Sequence, residues 1–141
     1  MIRELEHEDM TANYFRLLCQ LSGEEKKDDK GAAFQFWDKY KDNDDHQIFI
    51  YEHEGEIVGT ATVLVENKLL HYGSRVGHIE DVVVNKDKRL KGVGKGLIER
   101  CVKFAREKIC YKIILDCSDY NVPFYKSCGF RTSGGCMRLD L

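Results

Sequence analysis

The fold is decided around residues 89–95, which read Arg89-Leu90-Lys91-Gly92-Val93-Gly94-Lys95. This loop stands between a predicted strand, Val76 to Val84, and the clearest helical stripe in the chain, formed by Leu97, Ile98, Cys101, Val102 and Ala105. A helix N-terminus exposes unpaired N–H groups and the positive end of the helix dipole, and glycine lets an anion approach that backbone. With Arg89, Lys91 and Lys95 adding charge, the loop predicts a binding site for a polyphosphate.

Two familiar glycine motifs do not fit this loop. A Walker A loop requires G-x-x-x-x-G-K-[ST], which is absent, and a dinucleotide fingerprint starting at Gly92 would require glycine where Leu97 stands. The pattern that fits is R-x-x-G-x-G at a turn from strand to helix. A glycine-rich turn with a solvated basic rim is the alternative, and the position between strand and helix favours the anion site.

Hydrophobic period and turn residues predict one α+β sheet around this loop. The charged stretch Glu24–Lys30 is predicted to be a solvated loop, and the aromatic residues of the second helix are predicted to pack on the sheet. In chain order the predicted elements are a strand at Ile2–Leu5, a helix ending near Gly23, a helix centred on Phe34, Trp37 and Tyr40, two strands joined by a Glu54-Gly55 turn, the strand Val76–Val84, the long helix, a strand at Lys112–Asp116, a short helix near Val122–Cys128 and a last strand near Gly135–Leu139.

Length and composition limit the class of protein. The chain has 141 residues, of which 43% are hydrophobic and 33% charged, as in one globular domain, 1–141, and unlike a disordered chain. No apolar run approaches the roughly 20 residues of a membrane span, and Met1 opens no signal peptide. We therefore expect a soluble, cytoplasmic protein.

The net charge of −2 conceals an uneven distribution. Lys86 to Lys112 holds ten Lys or Arg and three Asp or Glu, a charge of +7, so the rest of the chain carries −9. A nucleic-acid-binding module would need a basic stripe with exposed aromatic residues. Here the cations cluster on the loop and on the polar face of one helix, which is usually a solvated face, so we expect no nucleic-acid partner.

Six cysteines and five histidines raise the question of disulfides or metal. Without a secretory signal, and with Cys101 in an apolar stripe, buried free thiols are favoured over disulfides. The sequence has no C-x-x-C, H-x-x-x-H or H-E-x-x-H spacing, so we expect no metal. A cysteine nucleophile remains an alternative, and Cys117 and Cys128 are the candidates nearest the predicted site.

Two further stretches of sequence indicate the class of protein. Residues 77–84 read GHIEDVVV and residues 121–130 read NVPFYKSCGF. Together with the loop they resemble the Gcn5-related N-acetyltransferase (GNAT) superfamily, and within it the small eukaryotic enzymes that acetylate glucosamine 6-phosphate. The resemblance lies in these motifs between residues 77 and 130, and mainly in element order over residues 1–70.

The resemblance implies a fold, a reaction and partners. The fold would be a single-domain GNAT fold with a mixed, mostly antiparallel sheet flanked by helices. Acetyl-CoA would be the co-substrate, and its acetyl group would pass directly to the 2-amino group of glucosamine 6-phosphate, on the route to UDP-N-acetylglucosamine. Members of this group form intertwined homodimers, so a homodimer is expected.

The resemblance also implies site residues. Those at the coenzyme are Val82, Val83, Val84, Arg89, Leu90, Lys91, Gly92, Val93, Gly94, Lys95, Asn121 and Tyr125. Those at the sugar phosphate are Lys68, Leu69, Leu70, His71, Glu80, Asp81, Tyr111, Lys112, Asp116 and Arg138. Helix capping is an equally weighted alternative for Asn121.

Three residues are candidates for catalysis. Glu80 lies near the end of the central strand, where a carboxylate can accept a proton from the acceptor amine directly or through water, and the resemblance places Glu80 and Asp81 at the sugar. Tyr125, with an ordinary pKa of about 10, is protonated at neutral pH and can donate to the departing thiolate. Core packing of Tyr125 and a solvated Glu80-Asp81 pair are the structural alternatives.

The sequence departs from the group at one place. A basic residue usually stands where this chain has Asp140, and Arg138 lies two residues earlier, on the same side of a predicted strand. We hypothesise that Arg138 replaces the missing cation. Because of this departure, an alternative function remains: a GNAT enzyme that acetylates another amine, such as a protein N-terminus, a polyamine or a small metabolite.

Overall fold

The computed structural model describes residues 1–23, 30–88 and 90–141, and its centre is one five-stranded sheet in the order β1-β2-β3-β4-β5. Strands β1 to β4 pair antiparallel, whereas β4 and β5 are parallel. The predicted α+β class with a mixed, mostly antiparallel sheet is confirmed. The strands are β1 (Ile2–Glu4), β2 (His46–His53), β3 (Glu56–Asn67), β4 (Arg75–Val84) and β5 (Cys110–Ile114).

Helices cover both faces of the sheet. The first begins at Thr11, whose side-chain oxygen accepts a hydrogen bond from Tyr14 N, and ends at Gly23, where a φ of 68° suits glycine. None of the helices in the described ranges is long and apolar enough to cross a membrane. The helices are α1 (Ala12–Ser22), α2 (Lys30–Tyr40), α3 (Leu70–Gly73), α4 (Val93–Glu107) and α5 (Val122–Ser127).

The predicted turn at Glu54-Gly55 joins β2 to β3. Both residues have positive φ, 50° and 77°, which is the conformation of a type I′ hairpin turn. The backbone twist of that turn matches the twist of the two long strands it joins.

Two apolar clusters hold the layers together. On one face α4 packs against β2, β3 and β4, and the fully buried residues there include Phe49, Leu97 and Cys101. On the other face Tyr14 of α1 and Tyr40 of α2 pack with residues of β2. The predicted stripe of α4 is confirmed, with Val102 half-buried and its other four members buried.

Several sequence predictions differ from the structure at the chain ends and at element boundaries. The last strand predicted near Gly135–Leu139 is wrong, because residues 131–141 are exposed and pair with no strand within the described ranges. The fifth strand occupies Cys110–Ile114, two residues earlier than the predicted Lys112–Asp116. Phe34 does not pack on the sheet as predicted, since it is 67% exposed.

The predicted loop Glu24–Lys30 lies almost wholly outside the described residues. Only its last residue, Lys30, is described, as the start of α2. The single turn α3 was not predicted. Its residues His71 and Tyr72 have left-handed φ values of 52° and 60°, which hydrophobic periodicity does not reveal.

Candidate active site

Strand β4 carries one extra residue opposite β3. Thr62 pairs with Glu80 and Thr60 pairs with Val83, so two residues of β4, Asp81 and Val82, stand where β3 supplies one. Asp81 takes a φ of 50°, a conformation that aspartate tolerates better than most residues. Such a bulge bends its strand and re-aims side chains, and here it does so at the predicted catalytic pair.

Beyond the bulge, β4 is separate from β5. The two strands are paired only from Arg75 and Cys110 to His78 and Ile114. The peptide groups of residues 79–84 therefore have no ladder partner in β5 and can bond to an extended ligand. The predicted coenzyme residues of this strand lie here, with the Val83 side chain buried and those of Val82 and Val84 half-buried.

A cleft of about 230 Å³ opens at this separation. It brings together five of the predicted site residues, Glu80, Asp81, Val82, Asn121 and Tyr125, with a sixth, Asp116, which follows β5. The full lining consists of Leu21, Ile79, Glu80, Asp81, Val82, Asp116, Cys117, Asn121 and Tyr125.

Three carboxylates share the cleft, and this affects Glu80. Its pKa is raised, first because burial disfavours the charged form and then because Asp116 and Asp81 repel a further negative charge. A protonated His78 acts in the opposite direction. A carboxylate with a raised pKa is a stronger base than a solvated one, which suits proton removal from an amine.

Tyr125 faces the carboxylates from α5. Burial raises its pKa to about 12, and the neighbouring Cys117 and Cys128 add to the rise. Its ring contacts Phe124 and Phe130 edge-on at centroid distances of 5.0 and 6.1 Å. Tyr125 therefore packs as an aromatic residue and also presents a protonated hydroxyl to the cleft.

Asn121 lines the same cleft, and the capping alternative is wrong. It occupies the N-cap position of α5, but its side chain makes no capping hydrogen bond. The amide is consequently available to a ligand in the cleft.

The glycine loop ends at the N-terminus of α4. The first α-helical bond runs from Gly96 N to Gly92 O, so the N–H groups of Gly94 and Lys95 precede the helical ladder. Gly92 has a φ of 90°, which only glycine adopts without strain. A Cβ on Gly94 would stand 3.2 Å from Phe124, so this glycine also permits the close approach of α5.

The other loop residues differ in what they can offer an anion. The Val93 side chain is 1% exposed, so only its backbone faces the loop, whereas Leu90, Lys91 and Lys95 are exposed. Arg89, which the sequence assigns to a coenzyme phosphate, lies outside the described residues.

The predicted sugar-phosphate residues fall at the other end of the β4–β5 pair. Val76 pairs with Lys112 and His78 with Ile114, so side-chain alternation places Lys112 on the same sheet face as His78 and Glu80. Val76 and Glu80 are four residues apart, about 13 Å along the strand. Lys112 is therefore aligned with the carboxylate cleft but is not part of its lining.

Lys112 lies beside the ring of Tyr111, which also contacts His71. Its Nζ lies 5.3 Å from the centre of the Tyr111 ring, and His71 of α3 meets that ring edge-on at 5.1 Å. Lys68 lies beside β3, where its Nζ is 2.8 Å from Glu66 Oε1. The structure thus gathers three predicted basic side chains, Lys68, His71 and Lys112, around the start of β4 and β5.

Three further predicted substrate residues are not brought to the cleft. Leu69 and Leu70 are 97% and 65% exposed at the β3–β4 connection. Arg138 lies in the exposed C-terminal segment, where its guanidinium contacts Asp140 at 2.6 Å. Because no strand forms there, the alternation that linked Arg138 to position 140 does not apply.

Sequence reasoning did not assign Leu21 and Ile79 to the site. Both line the cleft, but in the sequence they are members of ordinary apolar patterns, and nothing distinguishes them.

The prediction of buried free thiols was too general: Cys101 is buried, whereas Cys117 and Cys136 are exposed. Within the described ranges no three His, Cys, Asp or Glu side chains are grouped to hold a metal ion.

Comparison with known proteins places this site in a class. Residues 2–130 match the acetyltransferase (GNAT) family, so the chain belongs to that family. Its bulged central strand, separated strand pair and glycine loop are therefore those of an N-acetyltransferase.

Within that family, the chain is similar to proteins named as glucosamine 6-phosphate N-acetyltransferases. A probable one from Oryza sativa subsp. japonica is 39% identical over 142 residues, which cover 98% of this chain and 86% of that protein. The enzyme from Trypanosoma brucei brucei is 45% identical over 95 residues, or 67% of this chain and 65% of that protein. The crystal structure of the Arabidopsis thaliana enzyme superposes with a TM-score of 0.92 at 35% identity, covering 99% of this chain and 97% of that one.

Proposed function

We propose that this protein transfers the acetyl group of acetyl-CoA to the 2-amino group of glucosamine 6-phosphate. One observation carries the proposal: Glu80, with a raised pKa, and Tyr125, with a protonated hydroxyl, line one cleft where β4 and β5 separate. The likeness to relatives named for this reaction supports the choice of acceptor. A place in UDP-N-acetylglucosamine synthesis and a cytoplasmic location belong to the same proposal.

Acetyl-CoA would lie between the strands and the glycine loop. The peptide groups of residues 82–84 that face away from β3 suit the amides of the pantetheine arm, and the N–H groups at the start of α4 suit its pyrophosphate. Lys91 and Lys95 would add charge near the phosphates. This arrangement directs the thioester into the cleft that Tyr125 and Asn121 line.

The reaction would be direct attack in a ternary complex. The neutral amine attacks the thioester carbonyl, a C–N bond forms and the C–S bond breaks. Glu80 accepts the proton that the nitrogen loses, and the coenzyme thiolate receives a proton from Tyr125. Return of the proton from Glu80 to Tyr125 through solvent resets the enzyme.

The pKa of Tyr125 indicates whether it donates a proton or mainly a hydrogen bond to the sulfur. At about 12 it lies well above that of an ordinary thiol, about 8.5. Complete proton transfer to the thiolate is therefore uphill, and hydrogen-bond donation to the sulfur as charge develops is the larger part of the stabilisation.

The sugar would lie along the sheet face from the cleft toward Lys112. The carboxylates Glu80, Asp81 and Asp116 would face its amino group, and Lys112, with Lys68 and His71 nearby, its phosphate. Leu69, Leu70 and Tyr111 would border that end, and Arg138 would join it as a second cation. An acceptor that has an amine but no anionic group would give Lys112 nothing to bind.

A homodimer forms part of the proposal. Strand β5 is an edge of the sheet, and its Tyr111 and Ile114 are 47% and 42% exposed. Residues 137–141 alternate apolar and polar, which is a strand pattern without a partner. Edge pairing between two copies would cover both features, and sedimentation equilibrium of the full chain measures the mass that decides it.

A thiol-release assay tests the proposed function. The purified chain is supplied with acetyl-CoA and, in turn, with glucosamine 6-phosphate, glucosamine, a polyamine and a peptide with a free N-terminus. Turnover with the sugar phosphate, and its N-acetyl product by mass spectrometry, is the expected result. Faster turnover with a polyamine or a peptide would show that the protein acetylates that amine and not the sugar phosphate.

A further inference from the structure

The side chains between the two ends of the proposed acceptor site suggest a role for His78. This residue lies on β4 two residues before Glu80, so both side chains project from the same face of the sheet. Consecutive same-face positions on a strand are about 7 Å apart. The sequence alone assigns no role to His78.

Strand β3 holds His78 in place. His78 Nε2 and Glu66 Oε2 are 2.7 Å apart, and Glu66 Oε1 in turn contacts Lys68 Nζ at 2.8 Å. A carboxylate that accepts a hydrogen bond from an imidazole fixes the orientation of the ring. The side chains of His78 and Glu66 are 29% and 45% exposed, so this contact lies at the protein surface.

The other neighbours of His78 differ in charge. On β5 its paired residue is Ile114, which is apolar, and Lys112 lies two residues earlier on the same face. Along β4 the neighbouring acid is Glu80, which Asp81 and Asp116 surround. Asp81, the next residue along β4, acts electrostatically on Tyr14 of α1 and His46 of β2.

We propose that His78, anchored by Glu66, is a positioning residue whose positive charge keeps Glu80 ionised for proton acceptance. Burial and the carboxylates of Asp116 and Asp81 favour the protonated, inactive form of Glu80, and His78 opposes them when it is protonated. The cleft can then hold three acids while one still works as a base near neutral pH. This inference rests on the proposed acetyl transfer and adds a residue that tunes it.

The test compares pH profiles of kcat for acetyl transfer to glucosamine 6-phosphate. In His78→Gln the cation is lost, so Glu80 takes up a proton at higher pH and the acid limb should move up by about half to one pH unit. In His78→Lys a positive charge is present throughout, so the limb should stay at the wild-type position or below it. Because the substrate titrates identically in every assay, a difference between variants reports the enzyme.

His53→Gln is the matched control, since His53 also lies beside a carboxylate, Glu54 at 4.0 Å, but at the distant hairpin. Its acid limb should coincide with that of the wild type. Circular dichroism and thermal melting establish that each variant is folded. An unshifted limb in His78→Gln, or equal shifts in His78→Gln and His78→Lys, would overturn the inference, whereas a wild type inactive on the sugar phosphate would instead overturn the proposed function.

Discussion

His78 of β4 and Ile114 of β5 form the last pair between these two strands. Past this pair β4 remains paired with β3 but has no partner in β5, the bulge at Asp81 follows, and the cleft opens with Tyr125 among its lining residues. One interruption of the sheet therefore provides both free peptide groups for a coenzyme and the position of the catalytic side chains.

Tyr125→Phe should lower kcat on the order of 100-fold and leave KM for acetyl-CoA nearly unchanged, because it removes the donor to the leaving sulfur but keeps the ring packing. Steady-state thiol release measures both constants. Tyr120→Phe, at a tyrosine that is 87% exposed, is the control. Burial raises the pKa of Tyr125 to about 12, so this hydroxyl should stay protonated up to about pH 10. A fall in wild-type kcat between pH 7 and pH 10 that is absent in Tyr125→Phe would contradict this role.

Glu80→Gln should separate activity from stability. We expect kcat/KM to fall on the order of 100-fold, because the base is lost. The folded-state pKa of Glu80 is raised, so its stabilising contribution is complete below the unfolded-state pKa and is lost as the pH rises through the folded value. At pH 7 the charged carboxylate therefore gives no stability from this source.

Urea unfolding at pH 5 and pH 7 measures that second part. The Glu80→Gln variant should be at least as stable as the wild type at pH 7, and its relative advantage should shrink at the lower pH. A variant that is clearly less stable at pH 7 would show that Glu80 has a structural role in place of a catalytic one.

Gly92→Ala should strain the loop and weaken coenzyme binding together. The φ of 90° at Gly92 suggests a loss of about 1–2 kcal/mol in unfolding free energy. Gly55→Ala is the matched control, because Gly55 has a φ of 77° and, like Gly92, open space where a Cβ would stand. Both variants should lose similar stability, but only Gly92→Ala should raise KM for acetyl-CoA. If KM for acetyl-CoA is the same in Gly92→Ala and Gly55→Ala, the loop does not bind the coenzyme.

Lys112→Ala should raise KM for glucosamine 6-phosphate about tenfold or more, because a charged hydrogen bond to the phosphate is lost. KM for acetyl-CoA should not change. Lys103→Ala, at a lysine of α4 whose side chain is 70% exposed, is the control for a surface cation.

Arg138→Ala tests the second cation of the proposal. A rise in KM for the sugar phosphate would support it, and would require the C-terminal segment to leave the contact with Asp140. An unchanged KM, together with a raised value in Lys112→Ala, would remove Arg138 from the site.

The sequence predicted those parts of the molecule that depend on local pattern. The apolar period of α4, the turn at Glu54-Gly55 and the glycines of the loop depend on neighbouring residues, and all three agree with the structure. The carboxylates and Tyr125 came from a resemblance in motif, and the structure brings them into one cleft.

The rest depends on contacts that no local pattern encodes. The strand predicted at Gly135–Leu139 has the right alternation, but a strand also requires a neighbouring strand, and the part of the chain that the structure describes places none beside this segment. The contribution of Leu21 to the cleft depends on how α1 crosses the sheet. The role proposed for His78 depends on the register between β3 and β4, which places Glu66 beside it.

The central claim is that this cleft acetylates an amino sugar that carries a phosphate, and the most direct measurement is the ratio of kcat/KM for glucosamine 6-phosphate to that for glucosamine. The ratio should be on the order of 100 or more in the wild type, since the phosphate would bind the Lys112 end of the site. The same ratio should fall sharply in Lys112→Ala. A wild-type ratio near one would show that the cleft does not select for the phosphate.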